Sequence, residues 1–172
     1  MSWPVSELTI NISRLSEGTH HYDFEAEPKN IGLDERFNKP VLVHAQLEKT
    51  GRQMRLRSEV RTMAFFTCDR CLDELERDMS SHFEVVYLTE ETGVQLSDQL
   101  EVQILRPDTN ILDVGEDTRQ FLILSVPQKL LCRDECKGLC PKCGSNRNKV
   151  RCECVSEKTD PRWDGLKKVS LN

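Results

Sequence analysis

No run of apolar residues approaches the eighteen or so that a helix needs to cross a bilayer, so no transmembrane helix and no membrane partner is expected. The opening stretch, MSWPVSELTINISRLSEG, lacks a basic start with an apolar segment behind it, and no secretory signal is expected. Internal repeats and low-complexity tracts are absent. So are a glycine-rich phosphate loop and a G-x-S-x-G turn, which leaves nucleotide and serine-hydrolase chemistry without a motif. The four histidines, His20, His21, His44 and His82, have no ligand-like spacing and are expected to be structural or solvent-facing.

What the chain has is cysteine: 8 in 172 residues, enough length for one domain, or one domain with a small appendage. Six lie in LCRDECKGLCPKCGSNRNKVRCEC, residues 131–154, and two stand far upstream in FTCDRCL. In Cys140-Pro-Lys-Cys143-Gly the thiolates and the following backbone N–H groups can face one metal, and the glycine allows a tight turn. Cys152-Glu-Cys154 supplies a second close pair. Zinc in a closed structural site prefers four tetrahedral thiolates, and this spacing provides them. Disulfides are the rival use. A chain kept in a reducing cytoplasm, the expected location, has thiols instead.

Two divisions of the eight cysteines are open. In one, two zinc ions are held, by Cys140, Cys143, Cys152 and Cys154 and by Cys68, Cys71, Cys132 and Cys136, with Cys132 and Cys136 on one helical turn. That second set closes a loop of about 60 residues in the chain. In the other, a single ion takes Cys136, Cys140, Cys143 and Cys154.

Charge is uneven. Residues 129–172 hold eleven Lys/Arg against six Asp/Glu, a balance of +5, and residues 1–128 carry −10, within a net −5 for the chain. The expected organisation is an acidic β-rich body, 1–128, with one helix near its end, and a basic zinc-binding tail, 129–172, docked on it. A four-thiolate zinc site carries −2, so the tail is only modestly basic.

Alternation of apolar and polar residues predicts strands around Leu8–Ile12, Thr19–Ala26, Val41–Leu47, Met54–Phe66, Phe83–Tyr87 and Leu100–Arg106. Residues 27–39 and 90–99 read as loops. Asp113–Val126 reads as a helix with Phe121, Leu122, Leu124 and Val126 on its apolar side, ended by Pro127. A short terminal helix is expected from Asp160-Pro161, with Trp163 anchoring it; Trp3 is assigned no role. Strands in succession predict an α+β fold, mostly antiparallel sheet, with a C-terminal helix and a zinc-ribbon-like cysteine module.

Cys68-Asp-Arg-Cys71-Leu72, Pro127 before Cys132, Cys136-Lys-Gly-Leu-Cys140-Pro-Lys-Cys143-Gly, Asn148, Cys152-Glu-Cys154 and Asp160-Pro-Arg-Trp163 with Leu166 come in an order that resembles the YceD family of large ribosomal RNA subunit accumulation proteins. The resemblance spans about residues 55–170. It implies a non-enzymatic factor supporting accumulation of large-subunit ribosomal RNA, with ribosomal RNA, a large-subunit ribosomal protein or an assembly factor as partner.

The candidate RNA contacts are Lys142, Arg147, Lys149 and Arg151 around the thiolates, and Arg55, Arg57 and Arg61 along one strand face, with Arg52 just before. Each has an ordinary alternative: offsetting the thiolate charge in the first group, and cross-strand pairing with Glu59 or Glu84 in the second. Two other functions are weighed. One is a zinc-ribbon adaptor that binds protein and no RNA. The other is a thiol redox protein using Cys68 and Cys71, disfavoured because such pairs open a helix in a βαβ setting and strand-like residues flank this one. The sequence leaves the oligomeric state open.

Overall fold

The computed structural model describes residues 7–51, 53–88, 101–154 and 162. Trp3, Arg52, the loop at 90–99, Trp163, Leu166 and the expected terminal helix lie outside the described residues. The chain forms two compact units that interleave in sequence: Met1–Thr67 with Glu74–Leu130, and Cys68–Asp73 with Leu131–Asn172.

The first unit is built on a five-stranded sheet in the order β2-β3-β4-β5-β6, comprising Gly18–Ala26, Val41–Thr50, Gln53–Thr67, Glu74–Leu88 and Glu101–Ile104. Neighbours are antiparallel except β5 and β6, which run parallel. Two short strands, β1 (Thr9–Asn11) and β7 (Ile111–Asp113), pair separately. The alternation that predicts β3 and β4 is the alternation that buries them. Val41, Val43, Ala45 and Leu47, with Met54, Leu56, Val60, Ala64 and Phe66, form one face of the core, joined by Phe83, Val85 and Tyr87 of β5. Ring stacking of Phe83 on Phe121, 4.7 Å between centroids, fixes α1 (Gly115–Leu124), the one α-helix among the described residues, to that face.

Four elements differ from the sequence reading, one of them β7, an unexpected strand whose last residue, Asp113, is where that reading opens the helix. The helix is shorter than Asp113–Val126, and its buried side includes Gly115, Thr118 and Leu122, at helical spacing; of the expected apolar residues Phe121, Leu122 and Val126 pack on the core, whereas Leu124, two residues past Leu122, points to solvent and is 77% exposed. β5 starts at Glu74, nine residues before Phe83, because pairing with β4 carries the polar stretch along in unbroken register from Thr67↔Glu74 to Gln53↔Leu88. A 3-10 turn, Pro28–Ile31, sits inside the expected 27–39 loop and buries Pro28 and Ile31.

The charged face of the sheet pairs across strands. Glu84 accepts from Arg55 at 3.2 Å and from Arg57 at 3.3 Å, and Glu59 holds Arg61. Asp23, His44, Glu59 and His82 stand opposite one another in a row across β2 to β5, with His44 Nδ1 2.5 Å from Asp23. Three of the candidate RNA-contacting arginines are thus already engaged with carboxylates. No described helix is long and apolar enough to cross a membrane.

Candidate metal centres

All eight cysteines are free thiols, and among the described residues all eight lie in the second unit. Their sulfurs converge in two groups: Cys68, Cys71, Cys132 and Cys136, and Cys140, Cys143, Cys152 and Cys154, each with all Sγ atoms within 4.8 Å of one another. Cys68 Sγ lies 3.8 Å from Cys136 Sγ, and Cys71 Sγ lies 3.6 Å from Cys132 Sγ. A disulfide would place a pair at about 2.05 Å. Four sulfurs each about 2.3 Å from a tetrahedral ion stand about 3.8 Å apart along every edge. The spacing therefore fits a metal ion and not a bridge. Both groups can hold one, and the mixed set of Cys136, Cys140, Cys143 and Cys154 is not how the sulfurs group.

The local folding that makes these groups repeats itself. In Cys68-Asp-Arg-Cys71-Leu72-Asp73 the N–H of Leu72 donates to the carbonyl of Cys68 at 3.0 Å, and the N–H of Cys68 donates to that of Asp73 at 2.9 Å. In Cys140-Pro-Lys-Cys143-Gly144-Ser145 the same positions bond at 2.9 Å, Gly144 to Cys140, and 2.8 Å, Cys140 to Ser145. The side chain two places after the second cysteine also matches, with Asp73 Oδ2 3.5 Å from Cys71 Sγ and Ser145 Oγ 3.1 Å from Cys143 Sγ. Both loops turn through a left-handed residue just after the second cysteine. In one it is Gly144, φ +72°, and in the other Leu72, φ +60°, the one non-glycine with positive φ among the described residues. A left-handed leucine costs roughly 1–2 kcal/mol that glycine does not.

The remaining ligands come from less regular chain. Cys132 and Cys136 are not on a helical turn; residues 132–136 form bends and a turn, closed by the N–H of Cys136 on the carbonyl of Arg133 at 3.0 Å. Several bonds tie this segment and Leu139 beyond it to the first loop, among them Leu139 N–H to the Arg70 carbonyl at 2.9 Å, Arg70 Nη1 to the Cys136 carbonyl at 3.0 Å and Cys132 N–H to Cys68 Sγ at 3.3 Å. Gly138 makes the approach possible. Its φ is +69°, and a Cβ there would meet the Arg70 carbonyl oxygen at 3.0 Å. Gly138→Ala is therefore expected to cost more than the roughly 1–2 kcal/mol of its backbone conformation. Gly144→Ala, with nothing within 4 Å of its Cβ, should cost that conformation alone. Chemical denaturation of the metal-loaded variants checks the order; equal losses would show that the contact with Arg70 is not limiting.

The basic spacer between Cys143 and Cys152 folds back on the first cysteine group. Asp73 Oδ1 accepts from Lys149 Nζ at 2.7 Å and Asp73 Oδ2 from Asn146 Nδ2 at 2.9 Å. Asn148 Nδ2 donates to Cys136 Sγ at 3.2 Å while its Oδ1 accepts from the N–H of Lys137 at 2.9 Å. Lys149 is thus tied down, whereas Arg147 and Arg151 are exposed, and Lys142 is exposed beside Cys143. Asp73 and Asn146 escape sequence reasoning because each acts across more than seventy residues of chain; Asn148 is legible as part of the ordered pattern, though not as a donor to sulfur.

The thiols of each group differ in proton affinity. Burial opposes ionisation of Cys68, but the N–H groups of Cys132, Arg70 and Cys71 outweigh it and bring the thiol down to about 6. The N–H groups of Cys143 and Lys142 bring Cys140 down to about 6 as well. The Asp73 N–H favours the Cys71 thiolate, yet burial and the neighbouring thiols push it up to about 12. Cys154 rises to about 12 under the influence of Cys143 and Cys140. Stabilisation of a thiolate by aligned N–H donors is what a metal-binding turn requires.

Residues 56–170 match the family model described as large ribosomal RNA subunit accumulation protein YceD. Similarity extends to the large ribosomal RNA subunit accumulation protein YCED homolog 1, chloroplastic, of Arabidopsis thaliana, with 26% identity over 156 residues, 74% of this chain and 47% of that protein. The chain spans about half the length of this relative. No solved structure matches it.

Proposed function

Because this chain belongs to the YceD family, we propose that it supports the accumulation of large-subunit ribosomal RNA by binding rather than by catalysis, with two zinc ions holding its cysteine unit in shape. The observation that carries the reading is the pair of four-cysteine groups, each with its sulfurs within 4.8 Å of one another and each composed of thiol ligands alone. All-thiolate zinc is closed and structural, leaving no position for a substrate. Cys68 and Cys71 lie between β4 and β5 and share their sulfurs with two further cysteines, a setting that suits ligation better than redox exchange. The free thiols suit a reducing compartment, taken to be the cytoplasm; the plant relative's name places that protein in the chloroplast.

RNA contact falls to Arg147 and Arg151 in this reading, with Lys142 beside them. Lys149 is a brace, because its ammonium is spent on Asp73. Each phosphate contact made by a basic side chain contributes roughly 0.7–0.9 to the salt dependence of binding. Replacing Arg147 and Arg151 together by Ser should leave metal content intact and flatten the slope of log affinity against log salt, measured on large-subunit RNA, by about 1.4–1.8. An unaltered slope would remove the spacer as the RNA contact and favour docking of the acidic body on a basic ribosomal protein.

A further inference from the structure

We propose that Leu72 is a protein-binding anchor, held out by the first cysteine loop to enter an apolar pocket on a large-subunit ribosomal protein. The inference goes beyond RNA contact and rests on the reading that the chain acts in large-subunit assembly. It starts from the two equivalent loops. Their hydrogen bonds match position for position, and the left-handed place after the second cysteine is glycine in one and leucine in the other. The backbone asks for no side chain there; glycine satisfies it at Gly144 without strain. Leucine is disfavoured there by its Cβ, and the side chain is not buried in compensation, since Leu72 is 63% exposed. Strain that the fold does not require, at a residue the core does not use, points to a use outside the chain.

The side chain also selects its partner. Leucine has no donor, acceptor or charge with which to read a phosphate or a base edge, and no aromatic face on which to stack a base. What it gains on leaving water it gains in an apolar pocket, which a protein supplies. The loop presents it rigidly. The carbonyl of Cys68 fixes the Leu72 N–H, and the next residue, Asp73, is held by Asn146 and Lys149, so little is lost on ordering the anchor. Val150, next to Lys149, is a second exposed apolar residue on the same brace, at 57%. The unit that carries Leu72 has eleven Lys/Arg against eight Asp/Glu, +3, and a four-thiolate zinc site adds −2 in each of its two groups; the loaded unit is thus slightly acidic within a chain of net −5, which favours a basic partner such as a ribosomal protein.

The test uses the full chain, metal-loaded, with two probes: the protein fraction stripped from large ribosomal subunits, and protein-free large-subunit RNA. Leu72→Gly removes the side chain and suits the backbone; Leu72→Asn also tolerates the left-handed conformation but is polar; Leu72→Met stays apolar. The Gly and Asn variants should keep their metal, melt no lower than the parent, and bind the ribosomal protein identified by mass spectrometry at least tenfold more weakly. Their RNA affinity should stay within twofold, and the Met variant should bind protein within threefold of the parent. A Gly variant that holds the same ribosomal protein within twofold overturns the anchor, as does one that melts lower, which would make Leu72 a packing residue. A parent chain that binds RNA but no ribosomal protein overturns the anchor and leaves the RNA reading standing. Leu72-dependent protein binding without any RNA binding supports the anchor and removes the RNA contact instead.

Discussion

Metal analysis of the reduced protein should return two zinc ions per chain, and chelator competition should find one of the two held about a hundredfold more weakly in each of the variants Cys68→Ser and Cys154→Ser. The two losses should differ in reach. Structural zinc binding is worth about 10–16 kcal/mol at neutral pH, so one ligand in four is on the order of 3 kcal/mol, roughly a hundredfold in affinity. In Cys154→Ser that loss falls on a group whose other members lie within fifteen residues of chain, and the first group keeps its own four sulfurs. In Cys68→Ser it also reaches the spacer. Asn148 bonds to Cys136 Sγ, and Asp73, adjacent to the Cys68–Leu72 turn, holds Asn146 and Lys149. Hydrogen exchange should therefore show Cys68→Ser losing protection at 68–73, at 132–139 and across 144–151, and Cys154→Ser losing it around 140–154 alone. Protection at 144–151 that survives in Cys68→Ser would mean that the spacer does not depend on the first group.

Zinc affinity should rise at least about a hundredfold from pH 7 to pH 8. A metal takes thiolates, so every thiol still protonated must give up its proton on binding. In the first group Cys68 is drawn down to about 6, and Cys136 is lowered too, burial being outweighed by the Asn148 amide and the Gly138 N–H. Cys71 is pushed up to about 12, and burial raises Cys132. In the second, Cys140 and Cys143 are lowered, the latter chiefly by the Ser145 hydroxyl, while Cys152 and Cys154 are raised by the thiols they face. The two raised thiols of each group, standing above the ordinary thiol value, keep their protons at neutral pH. Binding must release at least these two protons per ion, so log affinity gains at least about two per pH unit. Below about 6, Cys68 and Cys140 take up protons as well, and retention should weaken more steeply still. Competition with a chelator of known proton dependence, at pH 7 and pH 8, measures the slope; a change of tenfold or less would show that one proton, not two, is released.

The central strands are legible from parity because β3 and β4 bury every second residue, and each apolar side chain therefore falls on one face. The first half of β5 is not, since Glu74–His82 offers only Leu75 and Met79 to that face and is held as a strand by its partner. β7 has three residues, too few to show a period. Leu124 misleads because four apolar residues near a helix end look like one side until their angles are counted. The cysteines assort by neighbouring pairs, as their spacing suggests, since a two-residue gap forces both sulfurs of a turn to one point. The brace of Asp73, Asn146 and Lys149 leaves no such trace, being made of ordinary polar residues brought together by the fold.

The first cysteine group has a consequence in time. Sixty-one residues separate Cys71 from Cys132, whereas the second group spans 140–154. At about 5–20 residues per second, the nascent chain carries Cys68 and Cys71 as an unfinished half-site for roughly 3–12 s before the other half is made. The second group is synthesised almost at once. Every newly made molecule therefore passes through an interval in which two thiols stand without their partners, and oxidant or stray metal present in that interval meets them first.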